Sequence, residues 1–379
     1  MTDHTGIEWT DATWNPVVGC SLVSPGCTNC YAMGQAARIV RCAAGLNRAS
    51  TYDGTVETVK GKPVWTGKVA LASDATLTQP LRWKRPRRIF VNSMGDLFHE
   101  DVPDAWIDRV FAVMALTPQH SYQILTKRST RMRGYFEKVR HEGGICDSMS
   151  IIWQRAVEIA TERNLMANYQ PQLRVLPNVW LGVSAEDQRR ADERIPDLLA
   201  TPAAIRFVSA EPLLAPIDFE AAWHGESALD SECWGDCAWC EKGHPPLYNC
   251  QRGKGDWERG RSGLDWVIVG GESGPNARPM HPGWARAIRD QCAAAGTAFF
   301  FKQWGEWHPD GQGFSGISNT GSAIALEDGT IEIGGVDIPL DRCADSDLGE
   351  TGLWKVGKAR AGRLLDGVTH DAMPEVRHG

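Results

Sequence analysis

The sequence predicts an α/β fold: a parallel sheet, open or closed into a TIM-like (β/α) barrel. Two observations carry the prediction. Short apolar runs rich in β-branched and aromatic residues recur at Lys68–Ser73, Arg88–Ser93, Ser121–Thr126, Asn178–Val183, Ile205–Ser209, Trp266–Val269 and Ala298–Lys302. Such runs suit strands buried on both faces. Helix-like stretches lie between several of them, and alternating strands and helices build parallel sheets.

The segment from Thr28 onward leads into a helix carrying Ala32, Ala36, Ala37 and Ile39. In Pro103–Leu116 the proline sits near a helix start, and Ala105, Ile107, Val110, Phe111, Val113 and Met114 form an apolar stripe. Gln188–Leu199 carries Ala191, Ile195, Leu198 and Leu199, and Trp284–Ala295 repeats the pattern after Pro282. Two regions break the rhythm. Residues 221–262, rich in Trp, Gly, Cys and charge, read as an irregular insertion. Residues 308–347, rich in Gly, Asp and Ser, read as a surface excursion with a small hairpin around Ile317–Ile338. The expected division is therefore 1–220 and 263–307 for the barrel, interrupted by 221–262, then 308–347, and 348–379 for closure and tail. Leu353–Leu365 holds a short basic patch and closes the domain, and Thr369–Gly379 is expected to fray.

A chain of 379 residues is long enough for a large core in one barrel-sized domain or in two smaller ones. No apolar run approaches the roughly 18–20 residues that span a bilayer, and the N-terminus has no signal-peptide pattern. A soluble, cytoplasmic protein with no membrane partner is expected. Forty basic against 47 acidic residues give a charge of −7, which argues against indiscriminate binding to polyanions. The run Lys84-Arg85-Pro86-Arg87-Arg88 reads first as a solvated loop and second as a phosphate contact. Sixteen tryptophans are expected to line core and cleft walls, with base stacking as the lesser reading.

Eleven cysteines fall into two clusters and four singletons, and clusters in a chain without a secretion signal read as metal ligands. The first is Cys20-x6-Cys27-x2-Cys30. Thiolates suit zinc or iron–sulfur iron, and three ligands on a four-iron cluster leave one iron open to a small molecule. A zinc site completed by Cys42 or a histidine, or three reduced thiols, are the alternatives. The second is Cys233-x3-Cys237-x2-Cys240 with Cys250, set in sequence too polar to core itself. It reads as a structural zinc knuckle, or else as an auxiliary iron–sulfur cluster or unliganded thiols; His244 could replace one cysteine.

In parallel α/β folds ligands bind at the C-terminal ends of strands. That draws attention to Asn92 and Asp96, Lys127 and Arg128, Glu186, Glu211, Glu272 and Ser273, and Lys302 and Gln303. Val269-Gly270-Gly271-Glu272-Ser273-Gly274 allows close backbone approach to a ligand, or is a tight turn without one. It lacks the dinucleotide fingerprint spacing. His99, Glu100 and His281 are weaker candidates for proton transfer, since an isolated histidine is more often structural.

Seven segments carry a resemblance: Gly6–Tyr31, Arg88–Asp101 (RIFVNSMGDLFHED), Leu125–Arg128 (LTKR), Asn178–Glu186 (NVWLGVSAE), Phe207–Leu214 (FVSAEPLL), Trp266–Gly274 (WVIVGGESG) and Phe299–Trp307 (FFFKQWGEW). They closely resemble the phage Gp37/Gp68 family of uncharacterised, DUF5131-type proteins over nearly the whole chain. That family looks like a divergent branch of the radical S-adenosylmethionine enzymes. The resemblance implies a partial (β/α) TIM-like barrel with an irregular metal-binding insertion, and a [4Fe–4S] cluster on Cys20, Cys27 and Cys30. It implies S-adenosylmethionine as cofactor, with Asp96 near its methionine amine and Asn92, Glu186, Gly270, Gly271, Glu272, Ser273 and Tyr31 around it. Lys127, Glu211 and Lys302 are the expected catalytic residues. Two departures stand out: six residues separate the first two cysteines, and Asn29 precedes Cys30 where the common pattern has an aromatic. A reductant or electron-transfer protein, a nucleic-acid substrate and a three-Cys-motif partner protein are the implied partners. The competing expectations are a zinc-stabilised nucleic-acid-binding protein and a metal-dependent hydrolase.

Overall fold

A computed structural model describes residues 5–141, 148–165, 175–222, 227–229, 263–309, 321–334 and 351–375. Its strands are β1 (Ala12–Trp14), β2 (Val17–Val18), β3 (Val56–Val59), β4 (Lys62–Trp65), β5 (Ala70–Leu71), β6 (Arg88–Val91), β7 (Ser121–Thr126), β8 (Val179–Ser184), β9 (Ile205–Ala210), β10 (Trp266–Gly270), β11 (Ala298–Gln303), β12 (Trp307–Pro309), β13 (Ser322–Ala325), β14 (Ile331–Gly334) and β15 (Thr351–Lys355). The helices are α1 (Tyr31–Gly45), α2 (Asp74–Leu77), α3 (Asp104–Ala115), α4 (Ser129–His141), α5 (Ser148–Glu162), α6 (Gln188–Ala200), α7 (Pro282–Ala295) and α8 (Lys358–Ala361).

Seven strands, in the order β1-β6-β7-β8-β9-β10-β11, form one parallel sheet curled into a half-barrel. Side chains alternate across it with period two. Outward-facing Ile89, Val91, Leu181, Val183, Val208 and Val267 join a large core with the helices. Inward-facing Phe90, Trp180, Phe207, Trp266, Ile268 and Phe300 pack with Trp9 into an aromatic plug. Trp266 meets Trp9, Trp180 and Phe300 edge-on, with centroids 5.9, 6.0 and 6.0 Å apart, the arrangement aromatic quadrupoles prefer. Gly182 of β8 leaves room for this plug, because a Cβ there would meet the Phe207 ring at 2.5 Å. One step further along the strands, the inward residues turn polar: Asn92, Ser184, Ser209 and Lys302 line a cleft above the plug. The alternation thus stacks an apolar floor beneath a polar chamber.

Six of the seven apolar runs became strands of this sheet. Lys68–Ser73 did not: it holds only the two-residue β5, which pairs antiparallel with β2. The remaining strand is β1, whose three residues border only β6 and so need no long apolar run. Helices α4 and α5 were not anticipated; among the described side chains of α4, Met132, Tyr135 and Phe136 pack into the core at i, i+3, i+4 spacing, set among Arg131, Arg133 and Glu137.

The 308–347 segment contributes β13 and β14, a hairpin within an antiparallel sheet ordered β12-β15-β13-β14. Ser322–Ala325 is buried rather than superficial, with Ala323 and Ala325 packed on Ala277, Trp307 and Leu353. The tail is also better held than expected. The Phe301 N–H donates to His370 O at 2.9 Å, and Trp266 Nε1 donates to Ala372 O at 2.9 Å. This covers the β11 edge, which would otherwise present unpaired backbone groups. His281 accepts from the Gly283 N–H at 2.9 Å and stacks on Trp284, so it caps α7. Most tryptophans are buried core residues.

Candidate metal and cofactor site

The first cysteine cluster lies on the loop that follows β1 and β2. Gly19 opens it at φ +90°, where a Cβ would strike Lys68 O at 2.1 Å. A 3-10 turn over Pro25–Cys27 sets Cys27, and Cys30 is the N-cap of α1. Cys20, Cys27 and Cys30 line one cleft of about 1020 Å³ with the strand-end residues. Burial pushes the Cys20 thiol up to about 12; Asp96 adds to this, while Arg128, 3.6 Å from Sγ, opposes it. Burial likewise raises Cys30 despite the α1 N–H groups. Uncoordinated, these two thiols are poor nucleophiles, whereas a bound metal centre deprotonates a coordinating thiol outright. The donor chemistry therefore fits a thiolate-bound centre. Among the described residues, no three His, Cys, Asp or Glu side chains are grouped closely enough to hold a single metal ion.

Asp96 is 5% exposed and saturated. Its Oδ1 accepts from Thr126 Oγ1 (2.7 Å) and the Phe98 N–H (3.0 Å); Oδ2 accepts from Arg128 Nη1 (3.0 Å) and the Lys127 N–H (3.2 Å). Arg128 continues to Glu100 at 2.9 Å and Ser21 Oγ at 2.6 Å, tying β6 and β7 to the cysteine loop. His99 accepts the Asp101 N–H on Nδ1, leaving Nε2 to donate to Ser21 Oγ at 3.0 Å. Burial and then Arg128 lower the His99 pKa, keeping that ring neutral.

Two more carboxylates grip the same loop. Glu186, fully buried, accepts from the Gly26 N–H at 3.2 Å and from Arg194 at 3.0 Å, with Lys127 Nζ 4.0 Å away. Burial raises its pKa, but Lys127, Ser24, Arg194 and the Gly26 N–H together hold it below the ordinary value. A Cβ on Gly26 would lie 3.1 Å from this carboxyl. Glu272 takes Arg278 at 2.5 and 2.9 Å and Asn29 Nδ2 at 3.0 Å, while Arg278 also donates to Pro25 O at 3.0 Å. Burial raises this carboxyl too, and Arg278 outweighs it. Gly271 is spoken for by packing: a Cβ would sit 2.0 Å from Trp304 O, and its N–H donates to Gln303 O at 2.9 Å. It offers no open anion nest.

Three other cleft residues are less completely paired. Glu211 Oε2 accepts from Lys302 Nζ at 2.8 Å, but Oε1 has no partner. A Cβ on Gly270 would come within 3.2 Å of that free oxygen. Asn92, 3% exposed and at φ +59°, accepts the Val17 N–H on Oδ1 and leaves Nδ2 unpartnered. Gln303 Nε2 donates to Ser273 Oγ at 2.8 Å, and its Oε1 is unpartnered. Each such buried group costs about 1–3 kcal/mol unless something fills the space. Tyr31 is 57% exposed at the mouth, donating to Ser93 O at 3.1 Å.

Cys20, Cys27, Cys30, Tyr31, Asn92, Asp96, Lys127, Glu211, Gly271, Glu272, Ser273 and Lys302 thus share one cleft. Cys233, Cys237, Cys240, Cys250 and His244 lie outside the described residues. Arg194 and Arg278 were missed, and Arg128 was noted only by position. A signal was present: Val183-Ser184-Ala185-Glu186 and Val208-Ser209-Ala210-Glu211 repeat each other in paired register. Val269-Gly270-Gly271-Glu272 ends the next strand on a third glutamate.

These features define a class: a curled α/β half-barrel with three cysteines and a polar cleft at the C-terminal ends of its strands. The chain belongs to the family described as "Protein of unknown function (DUF5131)", whose model matches residues 4–374. Comparison with curated proteins and with solved structures finds no match in either.

Proposed function

We propose that this chain is a radical S-adenosylmethionine-type iron–sulfur enzyme, with Cys20, Cys27 and Cys30 holding a [4Fe–4S] cluster. The observation that supports the reading is the shared cleft: the three cysteines line one space at the strand ends with Asn92, Glu211 and Gln303, each of which keeps one buried polar atom unpartnered. When bound, the cluster supplies one electron to S-adenosylmethionine, whose cleavage leaves a 5′-deoxyadenosyl radical for hydrogen abstraction from substrate. Asp96, Glu186 and Glu272 position the cysteine loop through their arginines and amide partners. Asn92, Glu211 and Gln303 are the polar cleft residues set to turn toward the bound molecules. Lys302 pairs with Glu211 Oε2 at 2.8 Å, and this pair in the cleft is the reading's candidate for the catalytic side chains.

The test is to purify the protein without oxygen and measure iron and acid-labile sulfide per chain. The wild type is compared with the Cys20→Ala/Cys27→Ala/Cys30→Ala variant and a Cys42→Ala control, each checked for folding by circular dichroism. Loss of about four irons and four sulfides in the triple variant alone is the expected result, followed by 5′-deoxyadenosine formation with reductant. Zinc alone, or metal indifferent to these cysteines, sinks the proposal.

A further inference from the structure

We infer that the substrate is a single nucleic-acid strand, whose phosphates run along the exposed face of α1 into the cleft. The inference deepens the reading above and rests on it for the chemistry. Helix α1 buries Ala32, Met33 and Ala36 against the β3–β4 hairpin and exposes Tyr31, Gln35, Arg38 and Arg41 at helical spacing. Tyr31 and Gln35 line the cleft, so the stripe is a track from the cleft mouth outward. Arg48 follows the helix, and the hairpin tip adds Lys60 and Lys62 around a two-residue turn with both φ positive. Among the described residues, none of these five cations is in an ion pair.

Charge separates this region from the rest. Residues 31–68 hold six basic and two acidic side chains, a net +4, so the remainder of a chain of −7 carries −11. At 1.5 Å per residue, Tyr31 to Arg41 spans about 15 Å, longer than a single phosphate. A small anion would engage one or two of these cations; a chain of phosphates engages the track. At its inner end stand the exposed aromatic ring of Tyr31 and, beyond it, the polar cleft residues Asn92, Glu211 and Gln303. That set suits the face and hydrogen-bonding edge of an unstacked base. A duplex would have to release a base before it reached the cysteines.

The test is fluorescence anisotropy of short labelled single-stranded DNA and RNA, and of a duplex, at increasing salt. It uses the full-length protein, with iron measured on each batch. Wild type is expected to bind single strands more tightly than duplex, the two sugars deciding which nucleic acid is preferred. Arg38→Glu/Arg41→Glu, confined to the surface, should weaken binding about tenfold or more and flatten the salt slope by about 1.4, at roughly 0.7 per phosphate contact. Tyr31→Ala should weaken it about fivefold or more. Equal binding by wild type and charge-reversed protein, tighter binding to duplex, or binding only to phosphatidylserine vesicles overturns the inference. Iron-loaded protein that ignores strands overturns it while leaving the cluster reading intact. Strand binding by iron-free protein supports it while removing the cluster reading.

Discussion

The three neighbouring strands β8, β9 and β10 lead into the same residue type and are finished differently. Glu186 and Glu272 end β8 and β10 with their carboxylates filled by Arg194, Arg278, Asn29 and the Gly26 N–H. Glu211, on β9 between them, spends one oxygen on Lys302 and keeps the other free. The flanking pair clamps the cysteine loop, and the central one faces the cleft. Identical residue type at equivalent strand ends therefore divides into positioning and contact roles, according to which arginines the surrounding elements supply.

Removing a clamp should have the largest effect. Glu186→Ala strands the buried Arg194 and is expected to cost about 3–5 kcal/mol, read from the urea midpoint; a cost below about 1 kcal/mol would mean the clamp does not hold. Gly271→Ala forces a Cβ against Trp304 O and should cost about 1–3 kcal/mol. A neutral result would show the β10–β11 ends to be pliable.

Acid should test the two clamps next. The folded-state pKa values of Glu186 and Glu272 lie below the ordinary value near 4.5, so the unfolded chain takes up more protons through that window. Their stabilisation is present above about pH 4.5 and is lost as pH falls through the folded values. Thermal midpoints between pH 3 and 6 should drop less steeply in Glu186→Gln/Glu272→Gln than in wild type, and parallel curves would contradict the pairing.

Glu211→Gln should leave stability within about 1 kcal/mol and iron content unchanged, while 5′-deoxyadenosine-coupled turnover falls about 100-fold. A destabilised, iron-poor protein would make Glu211 a third clamp. Tyr31→Phe, losing one exposed hydrogen bond, should shift stability by no more than about 0.5 kcal/mol.

Six of the seven sheet strands were legible because strands buried on both faces must be apolar throughout, as in Val179–Ser184 and Ile205–Ala210. Strand β1 was not, since three residues at a sheet edge leave no pattern. The strand-end rule also brought most cleft residues into view. What it could not supply was their partners. Arg194 and Arg278 drew no attention in the sequence, because an arginine's destination depends on where its helix or loop packs. Gly271 read as an opening for a ligand, while its neighbour across space, Trp304 O, fills that position.

The sequence by itself determined the alternation of strand and helix, the cysteine spacing and the glutamate that ends each of three successive strands. These follow from local periodicity and residue chemistry, which need no tertiary context. Only the tertiary structure decided which carboxylates are neutralised and which oxygen stays free. It also decided that the exposed stripe of α1 begins at the cleft. Those outcomes depend on long-range contacts, such as that between Pro25 and Arg278, 253 residues apart, and no local pattern encodes them.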